Sequence, residues 1–388
     1  MKHTLWLALL AACGGHVTEP RSTAVTVPFE WIDNRIFVAA TLDGRPVHAL
    51  LDTGAVAAVS TDTARALGLR VAADTSGEGG VGVGSQRVES GIAHVGTISI
   101  GGAVAHDVDV DVIPLGDSTQ VFGKAPVDAI IGKPIFDRYV TTIDFVHRTV
   151  TFGGAVPAGV RIPFDVPEQI PLITATLDGV TGRFGVDIGA RSSLLVYRPF
   201  ADANHLADKY SAKLEGVTGW GIGGPVRSLL ARAHELDLGG GSGASVHDLV
   251  IRLSTQTAGA TTSSSKAGLI GPDVLSQFDV TFDYARHVML LTPNASYGRA
   301  DAYDRAGVWM GLAPDARAFV AVDVIAGGPA DAAGLHAGDR IVAIDGVATE
   351  QLVLPDVRER MRRTAPGTAV TLTLDGGREV VVTLRDLV

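Results

Sequence analysis

Two carboxylates in this chain sit in matching settings. Leu50-Leu51-Asp52-Thr53-Gly54-Ala55 and Gly185-Val186-Asp187-Ile188-Gly189-Ala190 are each an apolar run ending in Asp-x-Gly-Ala, and the two aspartates are 135 residues apart. If Asp52 and Asp187 meet, two like charges about 3 Å apart cannot both ionise easily, so one carboxyl keeps a proton. The ionised member can then take a proton from water while the protonated member polarises a carbonyl, and their titration belongs to the pair. Such chemistry needs no metal and no organic cofactor. A single aspartate before a glycine at a strand end is an ordinary turn residue; two in one duplicated context point to a paired site.

The duplication extends well beyond the motif. Val27-Pro28-Phe29-Glu30 is echoed by Ile162-Pro163-Phe164-Asp165, and Ala40-Thr41-Leu42-Asp43-Gly44 recurs as Ala175-Thr176-Leu177-Asp178-Gly179. Downstream, Ile130-Ile131-Gly132 is answered by Leu269-Ile270-Gly271, and Asp144-Phe145 by Asp283-Tyr284. The early pairs are offset by 135 and the late ones by 139, so four extra residues sit inside the second copy. A unit this long is a fused domain rather than a solenoid repeat.

The elements that must position the aspartates read as strands. Ile36 to Leu42 and Val47 to Leu51 form a hairpin that delivers Asp52 at its end, and Leu172 to Leu177 with Arg183 to Val186 do the same for Asp187. Asp128 to Ile131 and Ala267 to Ile270 are short apolar strands expected to pass behind the two loops. Val140 to Phe152 and Val280 to Leu291 read as closing hairpins. Thr63 to Leu67 is a short helix capped by Gly68. Gly77 to Gly84 and Gly216 to Gly224 are glycine-rich turn regions; Gly219-x-Gly221-x-x-Gly224 is no dinucleotide fingerprint, because Pro225 follows at once and no βαβ unit surrounds it.

With 388 residues, two or three domains are expected, and 46% apolar residues with 47 glycines suit a turn-rich β protein. The net charge of −10, without a long basic run, excludes nucleic acid as a natural partner. The histidines show no close-set metal-binding pattern. At the N-terminus, Met1-Lys2-His3 precedes a brief apolar stretch and then Leu10-Ala11-Ala12-Cys13, with the only cysteine of the chain. That run resembles a bacterial lipobox, which implies lipidation of Cys13, a polar tether over residues 14–24 and an exported protein anchored to a membrane of the cell envelope.

The pattern over residues 27 to 293 resembles the bacterial retropepsin-like branch of the aspartic proteases. It is carried by Leu51-Asp52-Thr53-Gly54-Ala55, by Val186-Asp187-Ile188-Gly189-Ala190, and by the apolar runs ending at Gly132 and Gly271. The resemblance implies catalytic Asp52 and Asp187, supported by loops of Thr53, Gly54, Ala55, Ile188, Gly189 and Ala190. It also implies flaps over a peptide substrate near Gly80, Gly82, Trp220 and Gly221. In the family, the residue after each aspartate carries a hydroxyl that reaches across to the other lobe. Thr53 keeps it and Ile188 does not.

A composition change near Pro293 to Asp304 marks a boundary. Beyond it, Gly328-Pro329-Ala330-Asp331-Ala332-Ala333-Gly334-Leu335 and His336-Ala337-Gly338-Asp339-Arg340-Ile341-Val342 resemble a bacterial PDZ domain. This implies capture of a peptide, typically by its C-terminus, beside a strand and a helix, with Trp309, Met310, Gly311 and Leu312 as the carboxylate-receiving loop of the groove.

The sequence thus leads to a mainly β chain: two duplicated acid-protease-like β lobes over 25–158 and 159–298, then a small α+β PDZ domain over 303–388. The function expected is an aspartic endopeptidase whose PDZ domain recruits peptide or regulates access. The alternative is a lipoprotein with a degenerate site that binds peptide without cutting it, and Ile188 is the feature that favours it. A third reading makes the Asp-Gly turns mere architecture of an envelope lipoprotein.

Overall fold

The computed structural model describes residues 23–73, 82–115, 118–239, 241 and 243–388. Cys13 and Gly80 lie outside the described residues.

The two sequence copies fold into two barrel-like sheets of the same plan. In the first lobe, Arg35–Leu42 pairs with Arg45–Leu51, and the end of the latter runs parallel to Ala129–Ile131. Ala57–Ser60 lies on the other side of that short strand and runs parallel to Ala103–Ile113. In the second lobe, Leu172–Leu177, Val180–Val186, Gly268–Ile270, Leu194–Val196 and Ser245–Ser254 repeat these pairings in the same directions. Each sheet folds back on itself, by pairing of Leu42 with Ile98 in one lobe and of Leu177 with Leu236 in the other. The short strands of both lobes are buried on both faces and consist of Ala, Gly, Leu and Ile, as expected where a strand is sandwiched rather than half-solvated.

The lobes meet in a third, six-stranded sheet. Its order is Val25–Pro28, Thr149–Phe152, Thr141–Asp144, Phe278–Asp283, Val288–Pro293 and Val160–Pro163. The sheet is antiparallel about its centre, where Thr142 faces Thr281 with the hydroxyls 2.9 Å apart. These two residues are one repeat offset apart, so the local two-fold axis relating the lobes passes between them. The apolar core is continuous through both lobes. Phe136 against Phe282 (5.7 Å between ring centroids) and Phe164 against Tyr284 (5.2 Å) reinforce it beneath that sheet. Each such buried aromatic contributes about 1.5–3 kcal/mol through area removed from water.

Sequence reading missed the long hairpins Gly91–Ile100 with Ala103–Ile113, and Gly224–Asp237 with Ser245–Ser254. In the first of these the period-2 signal is present, since Val108, Val110 and Val112 alternate with Asp109 and Asp111 and are buried in step.

The C-terminal sheet, ordered Val308–Leu312, Phe319–Val324, Arg340–Ile344, Ala369–Leu374 and Glu379–Thr383, has its own core with Leu354, Val357 and Met361 of the helix Leu354–Arg363. It is firmly docked. Asp323 accepts from the Val217 amide (2.7 Å) and pairs with Arg227 (2.9 Å). Arg362 pairs with Asp273 of the second lobe (2.7 Å) and with Asp301 of the connecting segment (2.9 Å). Asp301 itself accepts from the Val250 amide, so the connection between the domains is pinned.

Candidate active site

Asp52 and Asp187 are brought together by the fold. Each aspartate ends a strand that runs parallel to the short apolar strand behind it. The Asp52 amide donates to Ile131 O and the Asp187 amide to Ile270 O, both at 2.9 Å. Gly132 and Gly271 then turn beneath the loops, so close that a Cβ on Gly132 would lie 2.1 Å from Ala55 O and one on Gly271 2.1 Å from Ser192 O. No side chain fits there.

The two carboxyls lie close together at the floor of a cleft of about 500 Å³, where a Cβ on Gly54 would stand 3.1 Å from both Asp52 Oδ1 and the Asp187 carboxyl carbon. Burial raises both pKa values, and the Asp187 charge pushes Asp52 further, well above the usual carboxylate range. Their backbone surroundings differ. Asp187 Oδ1 accepts from the amides of Gly189 (2.9 Å) and Ala190 (3.0 Å), whereas Asp52 Oδ1 accepts only from Gly54 (2.6 Å). Amide donors favour the charged form, so the backbone opposes the rise more at Asp187 than at Asp52.

Thr53 is buried and makes both halves of a cross-lobe bond. Its hydroxyl donates to Val186 O (2.7 Å) and accepts from the Ile188 amide (3.1 Å). Ile188 is fully buried in the core and returns no polar contact. Two residues that sequence reading missed supply further bonds from the first lobe: Asn34 Nδ2 donates to Arg191 O (2.6 Å), and Arg35 Nε to Gly189 O (2.8 Å). The loop lacking the hydroxyl is therefore held at two of its carbonyls. Arg35 and Arg191 also clasp the buried Asp33, with contacts of 2.8 Å each, and Arg358 of the C-terminal domain stands 3.5 Å away. Burial opposes a charge on Asp33, but the three guanidiniums hold its pKa below the ordinary value. No motif marks Asp33, Asn34 and Arg35. The only local signal is a turn, with Asp33 and Asn34 at positive φ.

The glycine-rich regions meet over the cleft. Gly84 N donates to Ile222 O and Gln86 N to Gly223 O, both at 3.0 Å, and Gly82 O accepts from the Ala260 amide (3.1 Å). Gly82, Trp220 and Gly221 line the same cleft as the two aspartates. Trp220 packs against the apolar cluster of the first lobe, and its carbonyl faces Arg35.

Trp309, Met310, Gly311 and Leu312 are not a loop, as expected from sequence, but the buried edge strand Val308–Leu312. The run is apolar throughout and pairs with Phe319–Val324, which makes it a strand. Across its free edge lies the short helix Thr119–Phe122 of the first lobe, which also contacts Leu354–Arg363. Arg358 is wedged between them. It donates to Val121 O and Met310 O and lies 4.5 Å from the Trp309 ring centroid.

Residues 38–135 match the family model of the aspartyl proteases, and residues 320–375 match that of the PDZ domains. The chain therefore carries an aspartyl protease domain and a PDZ domain. The protease match spans the Asp52 loop and Gly132. The second lobe lies outside it, and its likeness to the first rests on the repeated register described above. No curated protein matches the chain.

Proposed function

We propose that the protein is an aspartic endopeptidase in which Asp52 and Asp187 act as one dyad. The observation that carries this reading is the pair of adjacent buried carboxyls, unequally supplied with backbone amides, on the floor of a cleft large enough for an extended peptide. Ionised Asp187 takes a proton from the attacking water. Protonated Asp52 polarises the scissile carbonyl and gives its proton to the developing oxyanion; as the C–N bond then breaks, Asp187 passes the proton it took from water to the leaving nitrogen, and Asp52 takes a proton back from the intermediate's hydroxyl as the carbonyl re-forms.

The PDZ domain has the role of regulating access. Its strand edge and helix hold the segment Thr119–Phe122, and Val121 and Phe122 of that segment line the cleft. A peptide added beside Val308–Leu312 would have to displace one wall of the substrate site. The lipobox-like run ending at Cys13 supports an exported molecule tethered by lipid in the cell envelope.

Cleavage of a peptide library by the full-length protein between about pH 3 and 7, the range in which such a dyad shares one proton, tests the reading. Asp52→Asn and Asp187→Asn should each lose on the order of 10³-fold in kcat/KM. Peptide binding without cleavage by the folded, unmutated protein would instead establish the degenerate binding module that Ile188 favours.

A further inference from the structure

The two walls of the cleft carry opposite chemistry at equivalent positions. Ala58 pairs with Ile130 as Leu195 pairs with Leu269, and on their other side Ala58 is in register with Asp111 and Leu195 with Arg252. The first-lobe counterpart of Arg252 is therefore Asp111. Both line the cavity that holds the aspartates, with Val56 and Ile113 on the first-lobe side and Arg191 on the second-lobe side. The duplicated scaffold thus presents a carboxylate beside aliphatic side chains on one wall and two guanidiniums on the other.

Arg252 is only 4% exposed, and its Nε and Nη1 have no hydrogen-bond partner among the described residues. Its one close neighbour of note is the Tyr303 ring, with the guanidinium carbon 5.5 Å from the centroid. Asp273 and Asp301 act on it only through space, and both pair directly with Arg362. Arg191 engages Asp33 through Nε, which leaves its charge shared with Arg35 and Arg358 around one carboxylate. No acidic group at the cleft bonds Arg252 among the described residues: Glu168 pairs with Lys266, Asp111 stands at the counterpart position of the first lobe, and Asp52 and Asp187 lie against each other's loops. Buried donors without acceptors are costly. A guanidinium is shaped to take a carboxylate through two parallel bonds.

Building on the protease reading, we propose that Arg252, aided by the charge of Arg191, forms a carboxylate-recognising subsite on the second-lobe wall. The preferred substrate then carries an acidic group on that side of the scissile bond and an aliphatic side chain on the Val56 and Ile113 side. The carboxylate comes from a glutamate or aspartate side chain or from the end of the peptide chain.

The test is binding, measured calorimetrically on full-length Asp52→Asn protein, so that cleavage plays no part. Peptides identical except for Glu or Gln at each position in turn, each with a free or amidated C-terminus, separate the two sources of carboxylate. One acid-bearing peptide should bind about tenfold more tightly than its neutral partner, and that ratio should shrink with added salt. Arg252→Ile, which removes the guanidinium, should bring the ratio to about one, while Arg252→Lys should keep part of it. Equal binding of acid and amide peptides at every position, or no binding of either, overturns the subsite even if Arg252→Ile fails to fold. An acid preference in a protein that cleaves nothing would leave the subsite standing and remove the protease.

Discussion

The two aspartate loops share a backbone and differ in almost everything attached to it. Both hang from a parallel pair of strands, both are undercut by a glycine against which no Cβ fits, and both place the carboxylate at the same point relative to the local two-fold axis. Yet the first loop has Thr53, one amide donor on its aspartate and Asp111 on the wall beside it, whereas the second has Ile188, two amide donors and Arg252 at the position of Asp111. Duplication keeps what backbone sterics require. Divergence lies in the side chains and in the length of the second loop, which takes two more residues to rejoin the short strand at Leu194 than the first takes at Ala57, and it breaks the symmetry that would leave the two carboxyls equivalent. A peptide has a direction, and an unsymmetrical site can read it.

The shared part of the comparison breaks with the largest effect. Gly132→Ala and Gly271→Ala should each cost ~3 kcal/mol in urea denaturation, and the costs should be similar, because in both cases the clash is with backbone carbonyls. A large inequality would mean that one lobe relaxes around the intrusion and the equivalence is only topological.

The unshared part is smaller and one-sided. Thr53→Val keeps the shape but strips partners from Val186 O and the Ile188 amide, both buried at the lobe junction. It should destabilise by about 1–3 kcal/mol and lower turnover by loosening the dyad. If stability and turnover are both unchanged, Asn34 and Arg35 alone hold the second loop.

The subtlest difference appears against pH. Both dyad carboxyls have raised pKa values in the folded protein, so the folded state binds more protons than the unfolded one. Their contribution to stability is therefore fully present below about pH 4, the unfolded aspartate value, and is lost as pH rises through the folded values. Asp52→Asn removes that loss. The stability of the variant relative to the unmutated protein should rise from pH 4 towards pH 8, as read from denaturant midpoints. A flat difference would place both aspartates in ordinary solvent.

Much of this architecture was legible because β lobes announce themselves locally. Asp-x-Gly-Ala twice, an apolar triplet ending in glycine twice, and a closing hairpin twice have only one consistent reading once the offsets agree. The aspartate strands, the short strands behind them and the helix Thr61–Leu67 with Gly68 as its left-handed cap followed from period, apolarity and turn residues. The PDZ motif gave its helix Leu354–Arg363 and final hairpin in the same way. Trp309 to Leu312 misled, since a run read as a loop by resemblance is an edge strand by pairing.

What the sequence determined by itself is the duplicated scaffold and the identity of the two carboxylates, because these depend on residue type and spacing within a few neighbours. The tertiary structure alone brings the two carboxyls together, buries them and supplies them unequally with amide donors. That depends on how the lobes close and on Arg35 reaching from one lobe to Gly189 of the other, neither of which has a local signature. The tertiary structure likewise put Arg191 and Arg252 in the same cleft as Val56, Asp111 and Ile113, and set the PDZ edge strand against a helix of the first lobe. Those juxtapositions join residues as far apart as Val121 and Arg358, and contacts across such distances are set by how sheets close and pack, which no stretch of sequence encodes alone.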